Sequence, residues 1–424
     1  MLNQVQHDDV RKSEVPPMIK RLLLVALVIF ALFAGYRVWQ ESRVGAEAVD
    51  VAVAPEGPTR EIAFVSNAVG GTISLVDIEA REVIGALDIV PDGRRVSIFR
   101  DFTQGLAGQR LIERGGGLNY AQDTDLSPDG RTLYVARGHL GDVAAFDLAS
   151  GILRWRTRVA GVRADHMAIA PDGSRLYVSG TISDRLDVLD ARTGERLARL
   201  RTGVWPHDVH ATPDNHRILS ASLGDMQEED ETARGAAEDA DDPWPYQLTV
   251  YDAATLERID RHRFPRGIRP FQLSPDESLL YAQLSNEHSI VTYDFARREI
   301  VDRIDLPVAA GVSEEDWDFE APHHGLVITP DGATLCAAGR ASDYAALVAT
   351  EGLELLATVP VGNAPSWSAV SADGAICVVA NNRSDDVSLI DIAARAEVAR
   401  LDIGRAPKHI TVGRVPESVL GAVR

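Results

Sequence analysis

The chain predicts an all-β fold, a seven-bladed β-propeller closed into a ring. Two observations carry this. A strand–turn–strand unit built on Pro-Asp-Gly recurs about every forty-two residues, the period of a four-stranded propeller blade. The pieces left over at the ends of the repeat are three strands at the start and one at the finish, and they complement one another.

The clearest copy is Asp125-Leu126-Ser127-Pro128-Asp129-Gly130-Arg131-Thr132-Leu133-Tyr134-Val135-Ala136. Close copies occupy 168–179 and 328–338, and looser ones 209–221, 272–283 and 369–381. Proline presets φ for the turn, and glycine takes the conformation that closes a tight hairpin. Anchored on Pro128, Pro171, Pro213, Pro275, Pro330 and Ala372, the repeat holds its period except for insertions of about twenty and about thirteen residues. Six complete repeats start near 121, 164, 206, 268, 322 and 365. Each reads strand A, tight turn, strand B, longer loop, strand C, a turn opened by aspartate, strand D. The aspartates are Asp77, Asp147, Asp190, Asp252, Asp294 and Asp391. A carboxylate there accepts backbone N–H groups of its turn. The repeat at 322–362 has Ala349 instead, so its turn needs another partner.

Residues 61–67, 72–78 and 82–89 alternate as three strands with no strand A before them, and 406–412 reads as a strand A. Pairing this last strand with the first three completes the seventh blade and leaves no open edge. The propeller is expected over 61–413, followed by a tail at 414–424.

The segment before it reads differently. Lys20-Arg21 precedes an uncharged apolar run at 22–36, with Arg37, Glu41 and Arg43 beyond. The run is longer than a signal-peptide core and slightly short of a full span, and flanking residues can extend it. No small-x-small cleavage pair follows closely. The expectation is a cytoplasmic tail at 1–18, a single transmembrane signal anchor at 19–39 and a linker at 40–60, with the propeller on the periplasmic or extracellular side. Secretion after signal-peptide cleavage is the alternative.

Composition bounds the partners. Among 424 residues the formal net charge is −20, which argues against nucleic-acid binding, since phosphates require clustered Lys and Arg. Apolar residues at 45% support a substantial core rather than disorder. The two cysteines, Cys336 and Cys377, fall in second strands of neighbouring blades. Packed sheets lie about 10 Å apart and disulfide Cα atoms within about 7 Å, so two buried thiols are expected rather than a bridge. No nucleophile elbow, HExxH, P-loop, dinucleotide fingerprint or CxxCH sequence is present.

Ser-Pro-Asp-Gly-Arg-Thr-Leu-Tyr-Val-Ala (127–136), Ala-Pro-Asp-Gly-Ser-Arg-Leu-Tyr-Val-Ser (170–179), Gly-Asn-Ala-Pro (362–365) and Gly-Arg-Ala-Pro (404–407) resemble the YVTN family of β-propeller repeats. The resemblance spans about residues 61–413 and implies an extracytoplasmic protein. It leaves activity open, because similar repeats occur in lactonase-like enzymes, quinoprotein subunits, nitrous oxide reductase, haem d1 proteins and plain binding proteins.

Loops alternate between the two ends of a blade. The tight turns share one end, the bottom, and the long insertions at 90–120, 223–245 and 307–321 all fall at the other, the top. Long loops gathered on one face point to a binding side. Strand A lines the central channel, and counting six residues back from each turn predicts its upper mouth: Gln122, Asp165, His207, Arg269, His324, Ser366 and Lys408. His166, Asp208 and His323 lie beside it, with Trp317 and Trp367 as candidate anchors. The insertions differ in charge. Nine acidic residues crowd 225–242, and 314–320 is acidic with two aromatics, whereas 90–120 carries Arg94, Arg95, Arg100, Arg110 and Arg114. Ion pairs between these loops across the top are expected.

Three readings of the mouth stand side by side. In one, polar residues at strand starts only satisfy backbone and water. In the second, the mouth binds a protein partner or small ligand, without catalysis. In the third, it is a periplasmic enzyme or redox site, lactonase-like or of quinoprotein or copper type. There Asp165 or Asp208 would pair with His166 or His207, or copper or zinc would be held by His166, His207, His210, His323 and His324. For the mouth residues themselves the first leads; of the two functional readings the binding one leads, and no cofactor is required by it.

Overall fold

The computed structural model describes residues 19, 21, 24, 26–32, 47–94, 117–161, 163–225 and 244–421. It contains seven antiparallel four-stranded sheets. Six run in chain order, and the seventh joins Pro407–Pro416 to Thr59–Asn67, Thr72–Asp77 and Glu82–Asp88. The closing strand pairs antiparallel with the first, Phe64 opposite Thr411 and Ala63 opposite Val412. It runs to Pro416 and continues into a one-turn helix, Glu417–Leu420.

The expected anchor at 19–39 lies mostly outside the described residues. Among those described, no helix is long and apolar enough to cross a membrane. Arg95, Arg100, Arg110 and Arg114, and the acidic run beyond Asp225, also lie outside them. Residues 47–52 run along the turn side of the ring. Val49 donates to the Arg192 carbonyl (2.9 Å), Ala52 to Asp129 Oδ2 (3.1 Å), and the Val49 side chain is buried.

The core is divided into seven layers, one per blade–blade interface, because strands B and C are buried on both faces. Their side chains alternate between neighbours, as the two-residue strand period requires. In the second blade, Leu133 and Val135 pack towards Ile62, Phe64, Ile73 and Leu75 of the first. Tyr134 and Ala136 pack with Leu176 and Val178 of the third.

The bottom turns repeat one hydrogen-bond plan. Gly130, Gly173, Asn215, Glu277, Gly332 and Gly374 each donate N–H to the carbonyl three residues earlier at 2.8 Å. All six have positive φ, including Asn215 and Glu277. The aspartates Asp129, Asp172, Asp214, Asp276, Asp331 and Asp373 accept from the backbone N–H two residues on. Where the preceding strand ends in Ser or Thr, its hydroxyl accepts the N–H five residues later, as Ser127 does from Thr132 (2.9 Å). In the blade with Ala349, Thr350 Oγ1 donates to the Gly332 carbonyl (2.7 Å) and the 3-10 turn Glu351–Leu353 replaces the missing carboxylate.

The expectation of two thiols is corrected. Cys336 and Cys377 form a disulfide with Cα atoms 6.6 Å apart. The 10 Å spacing suits parallel stacked sheets, whereas propeller blades converge towards the axis. Here the small Ala338 and Ala345 share the interface with the bridge and allow close approach.

Candidate functional site

Seven inner strands surround the channel, and five of them break register at the predicted site residues. The breaks fall between Ala164 and Met167, Pro206 and Val209, Ile268 and Phe271, Pro365 and Trp367, and Pro407 and Ile410. Each inserts one extra residue. Such bulges re-aim side chains that would otherwise alternate. Consecutive residues Asp165 and His166 therefore both reach buried partners around the channel, and Lys408 lines it while its neighbour His409 reaches Asp123.

The entry to three of these strands is fixed by aspartates of the preceding blade's B–C loop. Asp184, Asp343 and Asp385 accept the N–H of Trp205, Ala364 and Ala406 at 3.0, 2.8 and 2.7 Å. Those three residues have positive φ and each precedes proline. The Gly-x-Ala-Pro segments are thus the brackets that hold Ser366 and Lys408 in place.

Four cations meet at the mouth. Arg163, Arg269, Arg340 and Lys408 line one cleft, with Asn119, Gln122, His139, His207, His324 and Asp318 among its other walls. Arg163 is held by Asp165 (3.0 Å), Arg340 by Asp318 (3.3 Å), and Arg269 by Ser285 Oγ (3.0 Å) with Glu320 3.9 Å away. No hydrogen bond or ion pair reaches the Lys408 ammonium among the described residues. Burial, then the charge of Arg163, pushes Lys408 down to about 7. Asp165 opposes, while Arg340 and Arg269 add to the depression. Burial, with Arg163 and Lys408 beside it, likewise takes His139 down to about 3.

Beneath the cleft lies a layer of histidines and carboxylates. Asp165 accepts from Gln122 Nε2 (2.6 Å), Thr181 Oγ1 (3.0 Å), Arg163 and His207 Nδ1 (3.2 Å). Asp123 accepts the N–H of Thr124 and Met167 and lies 3.1 Å from His166 Nδ1 and 2.6 Å from His409 Nδ1. Burial works against both carboxylates, yet these partners hold them well below the usual carboxylate range. His324 Nδ1 faces the Ser366 carbonyl (2.9 Å). Burial lowers His207 to about 4, with His166 adding, and puts His324 well below its ordinary value. For His166, burial is outweighed by the hydrogen bond and charge of Asp123, and its value is raised.

The predicted residues fall into two groups. Gln122, His207, Arg269, His324 and Lys408 line the cleft, and Asp165, His166 and Trp367 sit directly under it. Trp367 is buried and stacks on His166, centroids 4.8 Å apart at 19°, so it is a wall of the site rather than an exposed anchor. His323 and Trp317 lie elsewhere. The extended backbone turns His323 away from its neighbour His324 and onto Tyr344 OH (3.2 Å) and His288, whose ring is also near Trp317. His210 leans on Asp208 (3.3 Å) and Phe271, and Asp208 accepts the Phe271 N–H (3.0 Å). His210 and His323 are therefore outside the histidine group that converges.

The expected pairing between the basic connection and the acidic run beyond Asp225 falls largely outside the described residues. The acidic insertion pairs with blade residues: Asp318 with Arg340 and Arg383, and Glu320 with Arg269. Arg94 meets Asp142 of the second blade, inside a buried group with Arg137, Arg156 and Asp92. Described ion pairs of the basic connection thus anchor it to its own blade.

No protein-family model and no curated protein matches the chain. Among solved structures, it is similar to hydrazine synthase of Kuenenia stuttgartiensis, with a TM-score of 0.57 and 18% identity over 70% of this chain and 95% of that one. It is also similar to dihydro-haem d1 dehydrogenase NirN in complex with DHE, with a TM-score of 0.53 and 15% identity over 82% of this chain and 65% of that one. At these identities the likeness is one of fold.

Proposed function

We propose that the protein is a membrane-anchored, extracytoplasmic propeller of YVTN-repeat type that binds a small anionic ligand at the top mouth of its channel. The observation that carries this is Lys408: a half-buried ammonium with no protein partner, walled by Arg163, Arg269 and Arg340, in a molecule whose net charge is −20. Asp165, the carboxylate that opposes this crowding, is already engaged by Arg163 and His207, so keeping a further buried ammonium there is costly. Four converging cations in a cleft concentrate anions even on an acidic protein. Asn119, Gln122 and Asn382 add neutral polar atoms to orient the ligand. The disulfide supports an oxidising compartment.

Calorimetric titration of the full chain with phosphate, sulfate and short di- and tricarboxylates tests the reading. One anion per chain with Kd below about 1 mM, weakened by salt and lost in Lys408→Met, is expected. Binding unchanged in Lys408→Met, or no binding by any of these anions, overturns it.

A further inference from the structure

We propose that His166, His207 and His324 hold a divalent transition-metal ion, zinc by the donor set, at the floor of the mouth. One ring nitrogen from each lies within 4.8 Å of the other two. All three side chains are more than nine-tenths buried. They come from three different blades, so their meeting is a property of the closed ring.

The tautomers are decided by the partners. Asp123 faces His166 Nδ1, Asp165 faces His207 Nδ1, and the Ser366 carbonyl faces His324 Nδ1. Carboxylates and a carbonyl only accept, so each Nδ1 carries a proton and Nε2 is the atom each ring can offer a metal, which for His166 displaces the proton that Asp123 favours. The Nε2 atoms of His166 and His207 are buried with no hydrogen-bond partner. Neutral imidazoles oriented by a carboxylate or carbonyl on the far nitrogen are the arrangement that metal-ligating histidines adopt. Three imidazoles leave a fourth position of a tetrahedral ion open, and two of the three, His207 and His324, line the cleft.

A second grouping, Asp123, His166 and His409, also brings possible ligand atoms together. Asp123 is already occupied there: it accepts two backbone N–H groups and contacts both imidazoles. It serves as the positioning group for His166. The carboxylates Asp123 and Asp165 also offset the nearby cations, which otherwise oppose a dipositive ion.

The metal inference does not depend on the anion reading, and the test keeps the two apart. Untagged full chain is stripped with a chelator, exchanged into non-coordinating buffer without added anions, and titrated with Zn²⁺ and Co²⁺. Uptake of one ion per chain is expected, with the intense visible bands of tetrahedral Co²⁺. His207→Ala and His324→Ala should each weaken Zn²⁺ by at least about 100-fold, and Asp165→Asn by about 10–100-fold. His216→Ala, on an exposed bottom turn, should change nothing. The unfolding transition of each metal-free variant reports whether it folds. Should one fail, His324→Gln replaces it with little change in volume. No stoichiometric uptake, weak octahedral Co²⁺ bands, or uptake untouched in the folded His207 and His324 variants overturns the proposal. The anion titration repeated on stripped protein then reads the Lys408 cleft by itself.

Discussion

The two ends of the ring are built on opposite principles. At the bottom, each turn satisfies its own polar groups within four or five residues: the Asp129 and Gly130 bonds recur in five other turns and the Ser127 hydroxyl bond in four. At the top, polar groups are satisfied across blades or left without partners. Asp123 reaches His166 and His409, Asp165 reaches His207, and no hydrogen bond or ion pair reaches Lys408 among the described residues. Local satisfaction can be copied from blade to blade. Cross-blade satisfaction cannot, because each neighbour differs. The bottom is therefore where stability is repeated, and the top is where buried charge is retained at a cost to stability.

Replacing Lys408 gives the largest break in this contrast. Lys408→Met should lower anion affinity at least about 100-fold by titration while stabilising the unliganded protein. The sign follows from the depressed value. Folded Lys408 titrates near 7 and the unfolded side chain near 10.5, so the unfolded state binds more protons between these limits. Without ligand, wild-type stability should rise from pH 7 to 10.5 by up to roughly 4 kcal/mol, and this component should vanish in Lys408→Met. Anion affinity should fall over the same rise, as the ammonium deprotonates. Chemical denaturation across pH and titrations at pH 6 and 8.5 check both.

Next is the disulfide, which ties the sixth blade to the seventh independently of either end. Cys336→Ser with Cys377→Ser, or reduction, should cost about 2–4 kcal/mol, read as a lower Tm, with anion binding intact. Smaller again is a pair of glycines at bottom turns. Gly130 has φ +69° and a Cβ there would collide with the Arg414 carbonyl of the closing strand, whereas Gly352, φ +67°, has open space around it. Gly352→Ala should cost about 1–2 kcal/mol from backbone conformation alone, and Gly130→Ala clearly more. Equal losses would show that the turn does not support ring closure. The smallest effect is Ser127→Ala, about 1 kcal/mol, from the N–H of Thr132 losing its acceptor, with no change in anion titration.

Much of the ring was legible because its rules are local. The Pro-Asp-Gly spacing, strand alternation and the unmatched strands at each end fix blade number and closure. Counting from the turns located Gln122, His207, Arg269, His324 and Lys408 around one mouth, since the inner strands share a length from turn to channel. His409 escaped notice as a partner of Asp123 because the bulge between Pro407 and Ile410 brings consecutive residues to the same site and defeats simple alternation. Their signal was adjacency to counted residues: Asp123 follows Gln122 as His166 follows Asp165. Arg340 and Asn119 had no such signal. They stand in loops, where no register carries a residue to a known place.

The sequence by itself determined the propeller, its seven blades and the side of the ring that carries the long loops, because hydrogen-bonded turns and the two-residue strand period act over a few residues. Only the tertiary structure decided that Lys408 meets three arginines, that three histidines from three blades converge while His210 and His323 turn away, and that Cys336 reaches Cys377. Those outcomes depend on distances between blades. Such distances are set by ring closure, by bulges and by the size of side chains facing across each interface, and no single repeat contains them.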